Sequence, residues 1–290
     1  MSKSIGAKVM SSLLHFWPKL TEEETMQKIA ETRAAGEKPT APPTNIPSRY
    51  EDCENGRVFY LNEKSVSPYT VFYIHGGAYF YDFMPNHWQF MEKVVKATNA
   101  QVIAPAYRLV PFATWKEGFD LIVPLYKKHC AENPNKKIIL MGDSAGGGFS
   151  LALTEYFKAN GIRLPDELIL FSPWADVTME NEEIPEFQDK DPFLFTPSLP
   201  PLGKLWAGGL DPHDPRISPI YGDVSGLRNV TVFAGTDEII YPDSVKLFNL
   251  LDKDRSNELV VGEGMNHVYP LFPIKEADSA DNKVFHIIMR

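Results

Sequence analysis

The sequence predicts an α/β protein built on a mostly parallel central sheet with helices on both faces. Three observations carry this reading. Residues 70–74, 138–141, 168–171 and 230–233 are short runs without polar alternation, as strands buried on both faces require. They alternate with stretches of helical pattern, the arrangement that yields a parallel sheet. Residues 136–157 place strand, sharp turn and helix in direct succession, with Gly142-Asp143-Ser144-Ala145-Gly146 at the turn.

Taken in order, residues 5–17 and 21–35 read as two helices separated by Pro18, the second opening on Thr21 followed by three glutamates. Residues 36–48 carry four prolines and read as a linker. A first strand is expected at 58–61, a second at 70–74, a helix at 86–98, a strand at 101–104 and a helix at 115–130. The strand at 138–141 leads through the turn into a helix ending near Ala159, before Asn160-Gly161. Strands follow at 168–171, 230–233 and 259–261, with helices at 242–251 and at the end of the chain. Residues 177–227 interrupt this rhythm with eight prolines, from Pro185 to Pro219, and no visible strand. We read them as an insertion over the carboxyl end of the sheet, forming a cap with the N-terminal helices. The expected division is 1–48 as cap helices and linker, 49–176 and 228–290 as two parts of the core, and 177–227 as the cap insertion.

Composition narrows the function. The chain has 290 residues, is 43% hydrophobic and carries a net charge of −9, with no long Lys/Arg cluster. That argues against nucleic acid or an anionic membrane as partner. No stretch approaches the roughly 20 apolar residues of a membrane span. The N-terminus reads as an amphipathic helix rather than a signal peptide, which makes a cytoplasmic protein the expectation. Two cysteines, Cys53 and Cys130, lie far apart and read as free thiols. There is no Cys/His cluster and no phosphate-binding glycine pattern after the first strand, so neither metal nor organic cofactor is expected. A homo-oligomer is left open.

The chemistry gathers where predicted strands give way to loops. In parallel sheets, ligands bind beyond the carboxyl ends of the strands. Those positions hold His75-Gly76-Gly77-Ala78, Ser144, Asp237 and His267. A serine nucleophile needs an imidazole to take its proton, and the imidazole needs a carboxylate to fix its tautomer. The order Ser144, Asp237, His267 is the order of α/β-hydrolases. Glu238 and Asp243 compete for the role of acid. We expect Asp237, because Glu238 points the opposite way if the strand continues and Asp243 suits the first turn of a helix. Asp143 is expected to brace the turn through neighbouring donors, and His75 to hold its loop rather than transfer protons. The N–H groups of Gly76, Gly77 and Ala145 are expected to form an oxyanion hole. Ala78 and the aromatic residues Tyr79, Phe80, Tyr81, Phe83 and Trp88 are candidates for a substrate pocket, with at least half of the aromatics expected to pack the cap against the sheet.

Together, HGGA at 75–78, YRL at 107–109, GDSAG at 142–146, SPW-x-D at 172–176, DPRISP at 214–219, GTDE at 235–238 and NH at 266–267 resemble the hormone-sensitive-lipase-like esterases of the α/β-hydrolase superfamily. The resemblance runs from about residue 70 to 270. It implies Ser144 as nucleophile, His267 as general base and acid, Asp237 as orienting acid, and Gly76, Gly77 and Ala145 as oxyanion donors. The implied activity is a serine carboxylesterase acting on a small-molecule, short-chain acyl ester. Amide, arylformamide or acetyl-ester cleavage on the same machinery is the alternative, with a non-catalytic small-molecule binding protein as the reading of a different class. The sequence departs from the family at Pro111-Phe112, at Tyr241 and at Val268-Tyr269, none of which removes a catalytic group.

Overall fold

A computed structural model describes residues 3–253 and 255–290. Eight strands form one sheet in the order β1-β2-β4-β3-β5-β6-β7-β8. They are β1 (Ser48–Cys53), β2 (Gly56–Leu61), β3 (Tyr69–Ile74), β4 (Gln101–Tyr107), β5 (Lys137–Asp143), β6 (Glu167–Phe171), β7 (Val230–Gly235) and β8 (Glu258–Gly262). From β3 to β8 every pairing is parallel, while β1 and β2 form an antiparallel hairpin that pairs antiparallel with β4. Strand β1 was not expected. Its Arg49, Glu51 and Asp52 are exposed, so it carries no apolar alternation. Outermost position and charge suit it to end the sheet.

The helices are α1 (Ile5–Leu14), α2 (Glu22–Ala35), α3 (Pro85–Thr98), α4 (Trp115–Glu132), α5 (Ala145–Ala159), α6 (Pro185–Gln188), α7 (Leu199–Ala207), α8 (Tyr241–Leu250) and α9 (Lys275–Met289). Two apolar layers separate them. In β3, Phe72 and Ile74 face the layer built with α4 and α5, while Val71 and Tyr73 face the layer built with α3 and α9. That alternation explains the continuous apolar strand sequences: both faces are covered. Helix α2 starts on a capping box, with Thr21 accepting from Glu24 N–H and Glu24 accepting from Thr21 N–H.

Between β6 and β7, residues 177–227 form α6, α7 and two short 3₁₀ turns, with no strand among the described residues. Helix α2 packs on α7 and on the turn before it. Trp17, in the segment joining α1 to α2, meets Phe193 edge-on at 5.4 Å, and Lys19 donates to the backbone carbonyl of Asp191 at 2.8 Å. Among the described residues no helix is long and apolar enough to cross a membrane. Both cysteines are free.

Candidate active site

Ser144 lies between β5 and α5 in a conformation L-residues rarely adopt, φ 51° and ψ −122°. Backbone bonds hold it there. Its N–H donates to Phe171 at 2.8 Å, and its carbonyl accepts from Gly148 at 3.0 Å and from Trp174 at 2.9 Å. The glycines around it are steric requirements. A Cβ on Gly146 would run into the carbonyls of Ile74 and His75, and one on Gly142 into the carbonyl of Gly146. Only bare backbone lets β3, β5 and α5 approach this closely.

Asp143, buried beneath the turn, accepts from the Tyr73 hydroxyl at 2.7 Å and from Gly76 N–H at 3.0 Å, and its second oxygen lies 3.3 Å from His87 Nε2. His87 Nδ1 accepts from Met84 N–H at 3.0 Å, which leaves the ring proton on Nε2, facing Asp143. Burial pushes the Asp143 carboxyl up, but His87, Tyr73 and Gly76 together outweigh it and hold the group below the usual carboxylate range. His75 fixes its own loop: Nδ1 meets the Gly76 carbonyl at 2.7 Å and the ring stacks on Tyr107 at 4.7 Å. Burial drives its pKa down to about 4, so the ring is neutral.

The acid is the main correction. The carboxylate against His267 belongs to Glu238, whose Oε2 lies 2.8 Å from Nδ1, not to Asp237. Strand β7 ends at Gly235 and the chain turns through residues 236–239, so strand alternation no longer decides which side chain faces inward. Glu238 is fully buried, and its other oxygen accepts from Gly235 N–H at 3.0 Å. Asp237 turns outward to pair with Lys3 at 2.6 Å. Asp243 is buried and accepts from Asn181 at 2.7 Å. Because the carboxylate accepts from Nδ1–H, the free lone pair of His267 sits on Nε2. That nitrogen is buried without a partner among the described residues, and His267 lines the same cavity as Ser144.

The oxyanion donors also need revision. Gly76 N–H is committed to Asp143 and is not free to receive a substrate oxygen. Gly77 lines the cavity at φ 113°, and a Cβ there would strike the Tyr81 carbonyl. Ala145 occupies the first position of α5, where the N–H has no acceptor within the helix.

The cavity has a volume of about 500 Å³. Its walls come from three regions: Leu14 and Trp17 near the N-terminus, Phe80 and Tyr81 after β3, and Phe193 and Leu199 in the insertion. Of the six pocket candidates Ala78, Phe80 and Tyr81 line it, and Tyr79, Phe83 and Trp88 do not. Tyr79 is stacked at 4.3 Å and 3° on Trp206, whereas Phe83 and Trp88 pack on each other and on Phe59. Their apolar mass is spent on the core. His213 is exposed, held between Asp211 and Glu180. No group of three or more His, Cys, Asp or Glu side chains among the described residues is placed to hold a metal ion.

A serine at a strained turn, lining one cavity with an imidazole braced by a buried carboxylate at the carboxyl edge of a parallel sheet, defines a class. The model of the alpha/beta hydrolase fold family matches residues 71–271, and the chain belongs to that family. Its relatives include an esterase of Acinetobacter venetianus, 34% identical over 176 residues, covering 60% of this chain and 58% of that protein. An acetyl-hydrolase of Streptomyces hygroscopicus is 28% identical over 176 residues, covering 60% and 59%. The chain thus spans a little under three fifths of the length of these relatives. Among solved structures, an esterase of the bacterial hormone-sensitive lipase family superposes with a TM-score of 0.81 over 99% of this chain and 98% of that one, at 22% identity. The group that the sequence motifs resembled is therefore also met among the structural neighbours.

Proposed function

We propose that this protein is a serine carboxylesterase, with Ser144 as nucleophile, His267 as general base and acid, and Glu238 as orienting acid. The observation that carries the reading is the buried His267–Glu238 bond at 2.8 Å, which leaves Nε2 free in the cavity that Ser144 also lines. Ser144 Oγ attacks the ester carbonyl as Nε2 takes its proton. Glu238 stabilises the imidazolium that forms. The tetrahedral oxygen is received by N–H groups of Gly77 and Ala145, with Ala78 in the place expected of Gly76. Each such donor contributes on the order of 3–4 kcal/mol to the transition state. Nε2 then returns its proton to the departing alcohol, breaking the C–O bond. Water, deprotonated by the same nitrogen, attacks the acyl-enzyme and releases the acid.

The proposed substrate is a small-molecule ester with a short acyl group and an apolar alcohol. An apolar cavity of about 500 Å³ suits this, as do relatives named for acetyl hydrolysis, among them steryl acetyl hydrolase 1 of Saccharomyces cerevisiae, 27% identical over 71% of this chain. In this reading the N-terminal helices and the insertion act together as a cap that sets the alcohol pocket.

Turnover of p-nitrophenyl acetate tests the proposal and separates an enzyme from a binding protein. Ser144→Ala should lower kcat by roughly 10⁴- to 10⁶-fold with the fold intact. Retention of most activity would remove Ser144 as nucleophile. Across p-nitrophenyl esters of rising acyl length, kcat/KM should peak among the short acyl groups. A maximum at long chains would overturn the substrate class.

A further inference from the structure

Asp191 lies in the insertion after α6 and is completely buried. Three backbone donors converge on its carboxylate. Oδ1 accepts from Phe193 N–H and from Leu194 N–H, both at 2.8 Å, and so closes its own loop. Oδ2 accepts from Ile239 N–H at 2.9 Å, across 48 residues of sequence. That third donor belongs to the peptide unit whose carbonyl is that of Glu238. Fixing this plane fixes the backbone from which the Glu238 side chain reaches His267. The same residue is tied to the N-terminal segment, since its carbonyl accepts from Lys19. Phe193, two positions on, lies 6.1 Å from the His267 ring and 5.4 Å from Trp17. Nothing here needs a donor from residue 191, and an amide in place of the carboxylate would set N–H against N–H on one side or the other.

We propose that Asp191 is a positioning residue for the acid and base: from the insertion it clamps the Glu238–Ile239 peptide, so that the cap wall and the catalytic carboxylate move as one unit. This rests on Glu238 and His267 acting as proposed above. Burial pushes the carboxyl up to about 6, against the pull of His267 and the three N–H donors, so it is mainly anionic at neutral pH.

The test pairs Asp191→Asn with Asp191→Ser, assayed on p-nitrophenyl acetate beside the parent enzyme and Ser144→Ala. A serine hydroxyl can still close the local turn but is too short to reach Ile239. Both variants should lose about 10- to 100-fold in kcat, with KM within about threefold. The NMR resonance of the proton between His267 Nδ1 and Glu238 should shift or broaden in both. A folded serine variant with parental kcat, or an unchanged resonance, overturns the proposal. Loss of fold in both variants overturns it too, because Asp191 is then a residue of stability alone. Failure of the triad itself would appear in the parent and in Ser144→Ala, not in the Asp191 pair.

Discussion

The two halves of the site are built by different physics. The serine half is steric: Gly142, Gly146 and Gly148 sit where any Cβ would strike backbone, and Ser144 is held by three main-chain bonds. The histidine half is a relay of hydrogen bonds. Asp191 holds Ile239, Glu238 holds His267, and the Ser172 hydroxyl accepts from Val268 N–H at 3.0 Å. Close packing tolerates almost no substitution, whereas a hydrogen-bonded relay can lose a member and keep its shape. The glycine frame around the serine should therefore fail by unfolding, and the histidine half by losing rate.

The largest effect should come from Gly146→Val, which forces atoms into the Ile74 carbonyl. Destabilisation of about 4 kcal/mol or more is expected in urea unfolding. A loss below about 1 kcal/mol would mean that the turn is adaptable and the contrast false. Next, Glu238→Gln should lower kcat on the order of 10³- to 10⁴-fold while the unfolding midpoint changes little. Asp237→Asn gives up only a part-exposed ion pair with Lys3 and should stay within about threefold of the parent. Reversal of that order would restore Asp237 as the acid.

The smallest effect concerns Glu155 on α5. Both of its carboxylate oxygens are buried without a partner among the described residues. Burial, helped by the charge of Asp223 and opposed by Lys158, pushes its pKa up to about 9. The unfolded chain ionises first, near the ordinary glutamate value, so this group lowers stability as pH rises from about 4.5 to about 9 and adds no slope above that. Glu155→Gln should remove the slope, stabilising the protein by roughly 1–3 kcal/mol at pH 8 and hardly at all at pH 4. Equal stabilisation at both values would show that the carboxyl is not held neutral.

The same contrast decides what was legible in the sequence. Steric demands leave residue types behind, so GDSAG and HGG located the serine and its loop, and uniformly apolar strands located the parallel sheet. Hydrogen-bonded geometry leaves weaker traces. Asp237 and Glu238 are adjacent carboxylates, and only the end of β7 at Gly235 decides which turns inward. The one available signal was the GTDE turn itself, which cancels the alternation used to reject Glu238. Gly76 N–H is equally opaque, since its commitment to Asp143 depends on the third dimension. Tyr79, Phe83 and Trp88 had the composition of a pocket but the positions of a core. Strand β1 was missed because an exposed edge strand has no apolar face to advertise it.

The positive φ of Ser144 has a thermal consequence. A side-chain-bearing residue stays there only while β3, α5 and the Ser172–Trp174 loop all press on it. If any of them loosens on warming, the serine can relax to an ordinary turn long before the sheet comes apart. The proposed catalytic activity would then be lost before the sheet unfolds. Its inactivation temperature would report the tightness of one turn rather than the stability of the whole chain.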